Sequence, residues 1–241
     1  MNYIKTPIIV KGINHSGTRA VVKILEILGS DPGKIDNEWK ENSFFLELHK
    51  ELIKKISTMG WTETIFNNDF LINGYDDNLK YLSFINGKLK KIIDFYKNPH
   101  SEIWHWKCPS SAIFENTWAS IYPNAYNIII ERDHKKIARS LMRDGLIVDY
   151  KEALMFCNLM NEKIHSVKNK NTLIIKYVNL KNEIQNIADF IPIKVDEYQI
   201  KKAQSIVKSE SILRLNKSLK YNLRNFYTEG KILFNNLKNN F

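Results

Sequence analysis

The chain begins its patterned part with a β-branched run, Ile8, Ile9 and Val10, that meets a glycine-bounded loop. Beyond the loop Val21, Val22, Leu25 and Leu28 recur at the spacing of one helix face, so "IIVKGINHSGTRAVVKILEILG" (8–29) predicts a strand, a tight loop and a helix. Polar punctuation follows in "GSDPGKIDNEWKENS" (29–43), marked by Gly29, Pro32 and Gly33. Residues 44–59 and 77–97 predict amphipathic helices, with Asp77 capping the second. "EIWHWKCPSS" (102–111) alternates large and polar residues and predicts a strand that ends at Pro109. A helix carrying Ile113, Trp118 and Ile121 leads into the "YPNA" turn. "YNIIIERD" (126–133) is apolar on both faces, as a central parallel strand is. Helices over 134–144 and 150–168, a strand over 172–180 and a helical remainder from Lys181, broken at "IPIKVDE", complete the pattern.

Strands alternating with helices predict an α/β fold, a mostly parallel sheet flanked by helices on both faces. Ligands of such sheets collect at the carboxyl ends of the strands. That rule brings the loop at 12–18, the turn at 107–111 and the corner at 131–133 to one edge. A length of 241 residues suits a single domain, 1–241, with a helical insertion at 43–97 and a helical C-terminal part at 181–241.

Composition narrows the classes. An apolar fraction of 44% excludes a disordered chain. The N-terminus has no stretch of signal-peptide form, and no segment approaches the roughly 20 apolar residues of a membrane span, which predicts a cytoplasmic protein. Cys108 and Cys157 are too few for a disulfide framework or a cysteine-rich metal site. The net charge of +10 points to polyanionic partners. From Lys194 onward ten Lys or Arg face four Asp or Glu, spread at helical spacing as on a solvated face. No zinc-finger spacing or aromatic RNP signature supports nucleic acid.

Gly12 and Gly17 have the G-x-x-x-x-G spacing of a triphosphate-binding loop, but Thr18 and Arg19 stand where that loop needs Lys and then Ser or Thr. The lysine that reaches the terminal phosphates and the hydroxyl that holds magnesium are both missing. An anion cradle of backbone N–H groups at a helix N-terminus remains, to which Ser16 and Thr18 add hydroxyls and His15 and Arg19 add positive charge. This describes a site for a phosphate that needs no metal; an ordinary strand-to-helix turn would place its glycines similarly. Arg132 ends the buried strand and Ser140 lies two turns into the next helix, so both can converge on one anion.

"NHSGTR" before a helix, "WKCP", "ERDHKKIARSL" and "IIKYVNL", in that order, resemble the sulfotransferases that use 3′-phosphoadenosine 5′-phosphosulfate (PAPS). The resemblance covers roughly residues 6–180 and implies a P-loop-like fold with PAPS as donor, 3′-phosphoadenosine 5′-phosphate (PAP) as product and no metal. It implies that Ser16, Gly17 and Thr18 hold the 5′-phosphosulfate, with Asn14, His15 and Arg19 completing the loop, and that Arg132 and Ser140 hold the 3′-phosphate. Lys107 resembles the lysine of the W-K-x-P turn near the transferring group. Tyr177 falls in a segment resembling Y-x-D-L, in which Asn179 replaces the acidic residue, and His15 stands where Arg or Lys is usual.

The family uses a histidine or a glutamate as general base, and the loop after the first helix offers Glu38 as first choice, Asp36 as second, and Glu41. All three also fit solvated loop charges. His49 is read as a surface residue, His105 as a sheet residue and His134 as part of a helix start. The resemblance implies a small-molecule or glycan acceptor carrying a hydroxyl or amine, and the sequence does not name it. Aromatics of the insertion (Phe44, Phe45, Trp61, Phe66, Phe70, Tyr75, Tyr81, Phe84) suit such a ligand but more often build a core. A small-molecule kinase, which would need magnesium ATP, and a non-catalytic polyanion or nucleic-acid binding protein on the same fold are the alternatives.

Overall fold

The computed structural model describes residues 6–33, 35, 40–74, 84–85, 87–88, 103–167 and 169–207. Four short strands, β1 (Ile8–Lys11), β2 (His105–Lys107), β3 (Tyr126–Glu131) and β4 (Thr172–Lys176), form one sheet in the order β2-β1-β3-β4. All pairs are parallel: Ile8 lies beside His105 and Tyr126, and Asn127 beside Thr172. Parallel pairing forces each connection to cross a face of the sheet, which is where the helices lie.

The two faces bury different sets of side chains. Ile8, Val10, Ile128, Ile130 and Ile175 pack with Val21, Leu25 and Leu28 of α1 (Thr18–Ile27) and its end, and with Ile184 and Ile187 of α7 (Ile184–Phe190). Ala203, in a last helix α8 over 197–207, joins this face. On the other face Ile9, Ile129 and Trp106 pack against α2 (Ser43–Ile56), α4 (Glu115–Ile121), α5 (His134–Arg143) and α6 (Tyr150–His165). A short α3 (Trp61–Ile65) lies between α2 and β2 in the chain. Phe45 stacks on Trp106 with ring centroids 4.2 Å apart, so the aromatics Phe45 and Phe70 of the insertion serve the core. The architecture is the α/β fold expected from the pattern, a parallel sheet with helices on both faces.

Caps explain where several helices begin. Asn42 Oδ1 accepts from the Phe44 and Phe45 N–H groups, Asp133 Oδ1 from Lys136 N–H, and Asp149 Oδ1 from Lys151 and Glu152 N–H. α1 differs: it starts after Gly17, in left-handed backbone at φ 111°, with no side-chain cap. Its first N–H groups face the loop instead.

Some expected boundaries shift. The strand expected over 172–180 stops at Lys176, because Tyr177–Asn179 turn into a 3₁₀ segment that carries Tyr177 back toward the loop. The strand expected over 102–111 is only His105–Lys107, followed by a 3₁₀ turn, Pro109–Phe114, before α4. The first insertion helix ends at Ile56 rather than 59. The helix expected over 77–97 and its cap Asp77 lie outside the described residues, apart from 84–85 and 87–88. Among the described residues no helix is long and apolar enough to cross a membrane.

Candidate active site

Register sets the site. Ile8 and Val10 of β1 pair with His105 and Lys107 of β2, so Lys107 ends its strand beside the entry to the loop at 12–17. β3 runs two residues past its last pairing with β1 and delivers Arg132 to the same edge. The three segments expected at one edge do meet there.

The loop is tight by construction. Its turn is closed by Ser16 N–H donating to the Ile13 carbonyl at 2.9 Å, and His15 takes left-handed backbone at φ 68°. A Cβ on Gly12 would strike Ser16 Oγ, and one on Gly17 would strike the Tyr177 ring, so side chains at either position would fill the cradle. Ser16 Oγ is buried and makes no hydrogen bond within the protein, an orphan donor in a loop otherwise closed by backbone bonds. A buried hydroxyl without a partner is costly, and a phosphate oxygen would satisfy it. Thr18 is buried beside it.

Arg132 joins this loop to the corner that follows β3. Its Nη1 donates to the His15 carbonyl at 2.7 Å, and its guanidinium lies over the Tyr177 ring, 4.9 Å from the centroid. Ser140 Oγ lies 3.2 Å from His15 Nδ1 and accepts from Arg143 Nη2 at 2.8 Å. Asp144 Oδ2 stands 3.6 Å from the same imidazole nitrogen. The family-like blocks around Ser16, Arg132 and Tyr177 therefore form one continuous cluster.

Burial lowers the His15 pKa from its ordinary value; Asp144 opposes the shift, and Arg143, Arg19 and Arg132 reinforce it. The shift disfavours the charged ring, and positive charge at this place comes from the arginines around it. Lys107, also buried, has its pKa lowered first by desolvation, while Glu41, with Oε1 3.1 Å from Nζ, raises it.

Glu38 and Asp36 lie outside the described residues, and Glu41 is the loop carboxylate seen at Lys107. Asn14 sits in the turn between Ile13 and His15. His105 is a sheet residue as expected, its Nδ1 2.9 Å from Ser30 Oγ. His134 opens α5 and bonds Asn158 at 2.8 Å.

His49 corrects its surface reading. It is fully buried, its Nε2 accepting from Trp118 Nε1 at 3.0 Å and its Nδ1 facing Cys108 Sγ at 3.1 Å. The stripe Phe45, Leu48, His49, Leu52, Ile53 places it on the apolar face of α2, which the charged neighbours in "LELHKEL" disguise. Two polar neighbours of the site, Arg143 and Asp144, were not singled out from the sequence. Their signal was available: Arg143 follows Ser140 by three residues on α5 and shares its face.

No protein-family model matches the sequence, and no curated protein does. Solved structures match the fold. The sulfotransferase domain from the Synechococcus PCC 7002 olefin synthase has a TM-score of 0.52 at 16% identity, over 81% of this chain and 77% of that one. The sulfotransferase domain from the curacin biosynthetic pathway gives 0.51 at 14% identity, over 82% and 77%. The sulfotransferase STF1 from Mycobacterium tuberculosis H37Rv gives 0.50 at 12% identity, over 84% and 71%. The likeness is one of fold: a P-loop-like α/β domain of the kind these sulfotransferases share.

Proposed function

We propose that this chain is a sulfotransferase that takes a sulfuryl group from PAPS and gives it to a hydroxyl or amine of a small molecule or glycan. The observation that supports this reading most is the joining of two anion-binding blocks. Arg132 reaches the His15 carbonyl at 2.7 Å and Ser140 reaches the His15 ring at 3.2 Å, so the strand-end pair sits against the glycine loop. A nucleotide with a 5′-phosphosulfate and a 3′-phosphate offers one anion to each block.

The loop's composition suits this donor better than a triphosphate. Thr18 and Arg19 replace the lysine and magnesium-binding hydroxyl that phosphoryl transfer from ATP requires. A sulfuryl group carries less charge, and fixed donors suffice for it. During transfer the acceptor oxygen or nitrogen bonds to sulfur as the bond from sulfur to the 5′-phosphate oxygen breaks, and that electron pair stays on the phosphate. Ser16, the N–H groups opening α1, and Lys107 stabilise the leaving phosphate, each well-placed donor contributing a few kcal/mol. The acceptor proton passes to a carboxylate, a role we assign to Glu41, whose Oε1 lies 3.1 Å from Lys107 Nζ.

The test incubates the purified chain with PAPS and a panel of alcohols, amines and oligosaccharides, and measures PAP by chromatography. Acceptor-dependent PAP formation that is lost in Lys107→Ala and Glu41→Gln is expected. Formation that persists in both variants would remove these residues from the reaction.

A further inference from the structure

We propose that Arg143 is a second ligand of the donor's 3′-phosphate and sets the chain's selectivity for nucleotides that carry one; this rests on the sulfotransferase reading above. Arg143 lies one helical turn past Ser140 at the end of α5, so both side chains leave the same face. Its Nη2 donates to Ser140 Oγ at 2.8 Å, and its Nε donates to Asp144 Oδ1 at 3.0 Å. The guanidinium is thereby held along its Nε–Nη2 edge, by the carboxylate at Nε and by the serine hydroxyl at Nη2. A phosphate oxygen that bonds Ser140 Oγ comes within hydrogen-bonding reach of Nη2.

Charge favours a further cation at this place. A phosphate monoester carries about 1.5 to 2 negative charges near pH 7. Arg132, arriving from the end of β3, supplies one positive charge. Ser140 is neutral, and burial and the surrounding arginines lower the His15 pKa and so disfavour its charged form. Arg143 supplies a further charge, partly offset by its ion pair with Asp144, through a planar fork suited to phosphate oxygens. Asp144 lies between His15 Nδ1 at 3.6 Å and Arg143 Nε at 3.0 Å. It orients both groups. The alternative is that Arg143, whose side chain is 60% exposed, only makes a surface ion pair with Asp144.

Calorimetric titration of the full chain with PAP and with adenosine 5′-phosphosulfate, which lacks the 3′-phosphate, separates these. Arg143→Gln is expected to weaken PAP roughly 10- to 100-fold, the usual loss for a charged hydrogen bond, while leaving adenosine 5′-phosphosulfate unchanged. Arg143→Lys should fall between, keeping the charge without the fork, and Arg139→Gln, an exposed cation on the same helix, should match the wild type for both ligands. Unchanged PAP affinity in Arg143→Gln, or an equal loss for both ligands, overturns the inference while the wild type still binds PAP. A wild-type chain that binds neither nucleotide overturns the sulfotransferase reading, and this inference with it.

Discussion

Two histidines, His49 and His15, each sit beside a serine hydroxyl, and their surroundings differ in charge. His49 is enclosed by neutral partners: Trp118 Nε1 at 3.0 Å, Cys108 Sγ at 3.1 Å, Ser110 Oγ at 3.3 Å and the Phe114 ring stacked on its face. Trp118 can only donate, so Nε2 is the acceptor and the ring proton sits on Nδ1, toward the sulfur and the serine. His15 is ringed by Arg19, Arg132, Arg143 and Asp144. The first cluster ties α2 to the turn after Lys107 and has no surplus charge to offer a ligand. The second carries three guanidinium groups at the open edge of the sheet, against a loop with an orphan hydroxyl. Similar polar groups serve cohesion where charge is absent and water excluded, and sit among converging cations where the proposed anion site lies.

Acid should break the comparison most visibly. Burial pushes His49 and His105 down to about 3 from an ordinary 6.5. Both rings stay neutral in the fold and take up protons in the unfolded chain, so the native state binds fewer protons between those values. Stability should therefore fall as pH drops from about 6.5 toward 3, by about 1.4 kcal/mol per pH unit for each histidine. Urea unfolding across that window measures the slope, and His49→Gln should make it shallower. An unchanged slope would mean that His49 is not sealed from solvent.

A smaller effect comes from truncation. His49→Ala should cost about 3 kcal/mol, from a cavity and an unpaired indole N–H, whereas His15→Ala should stay within about 1 kcal/mol. Equal losses in denaturant melts would erase the distinction between the two clusters. On the ligand side, Arg132→Ala should weaken PAP binding by about 1–3 kcal/mol with little change in melting temperature. A stability loss without an affinity loss would make Arg132 a structural tie to the loop. The smallest effect concerns Tyr177: Tyr177→Leu removes the ring under Arg132 and should weaken the same binding by about 0.5–1 kcal/mol, measured by calorimetry.

Much of the architecture was legible because periodicity encodes it. The β-branched run at Ile8 to Val10 and the buried run from Tyr126 became β1 and β3, and the Arg132 to Ser140 spacing bridged a strand end and a helix face. Long-range pairings carried no local signal. Lys107 meets Glu41 across 66 positions, and Lys11 forms a buried ion pair with Glu115 across 104. His49 was hidden by its charged sequence neighbours, although its place in the apolar stripe of α2 could be counted. The early end of β4 depends on Tyr177 leaving the strand to cover Gly17 and Arg132, a tertiary contact that overrides local β-propensity.

The most direct test of the central claim is calorimetric titration of the chain with PAP in the absence of magnesium, beside 5′-AMP and magnesium ATP. PAP is expected to bind with a dissociation constant on the order of micromolar, and the affinity to collapse when the 3′-phosphate is removed. Binding that favours magnesium ATP, or that ignores the 3′-phosphate, would contradict the claim.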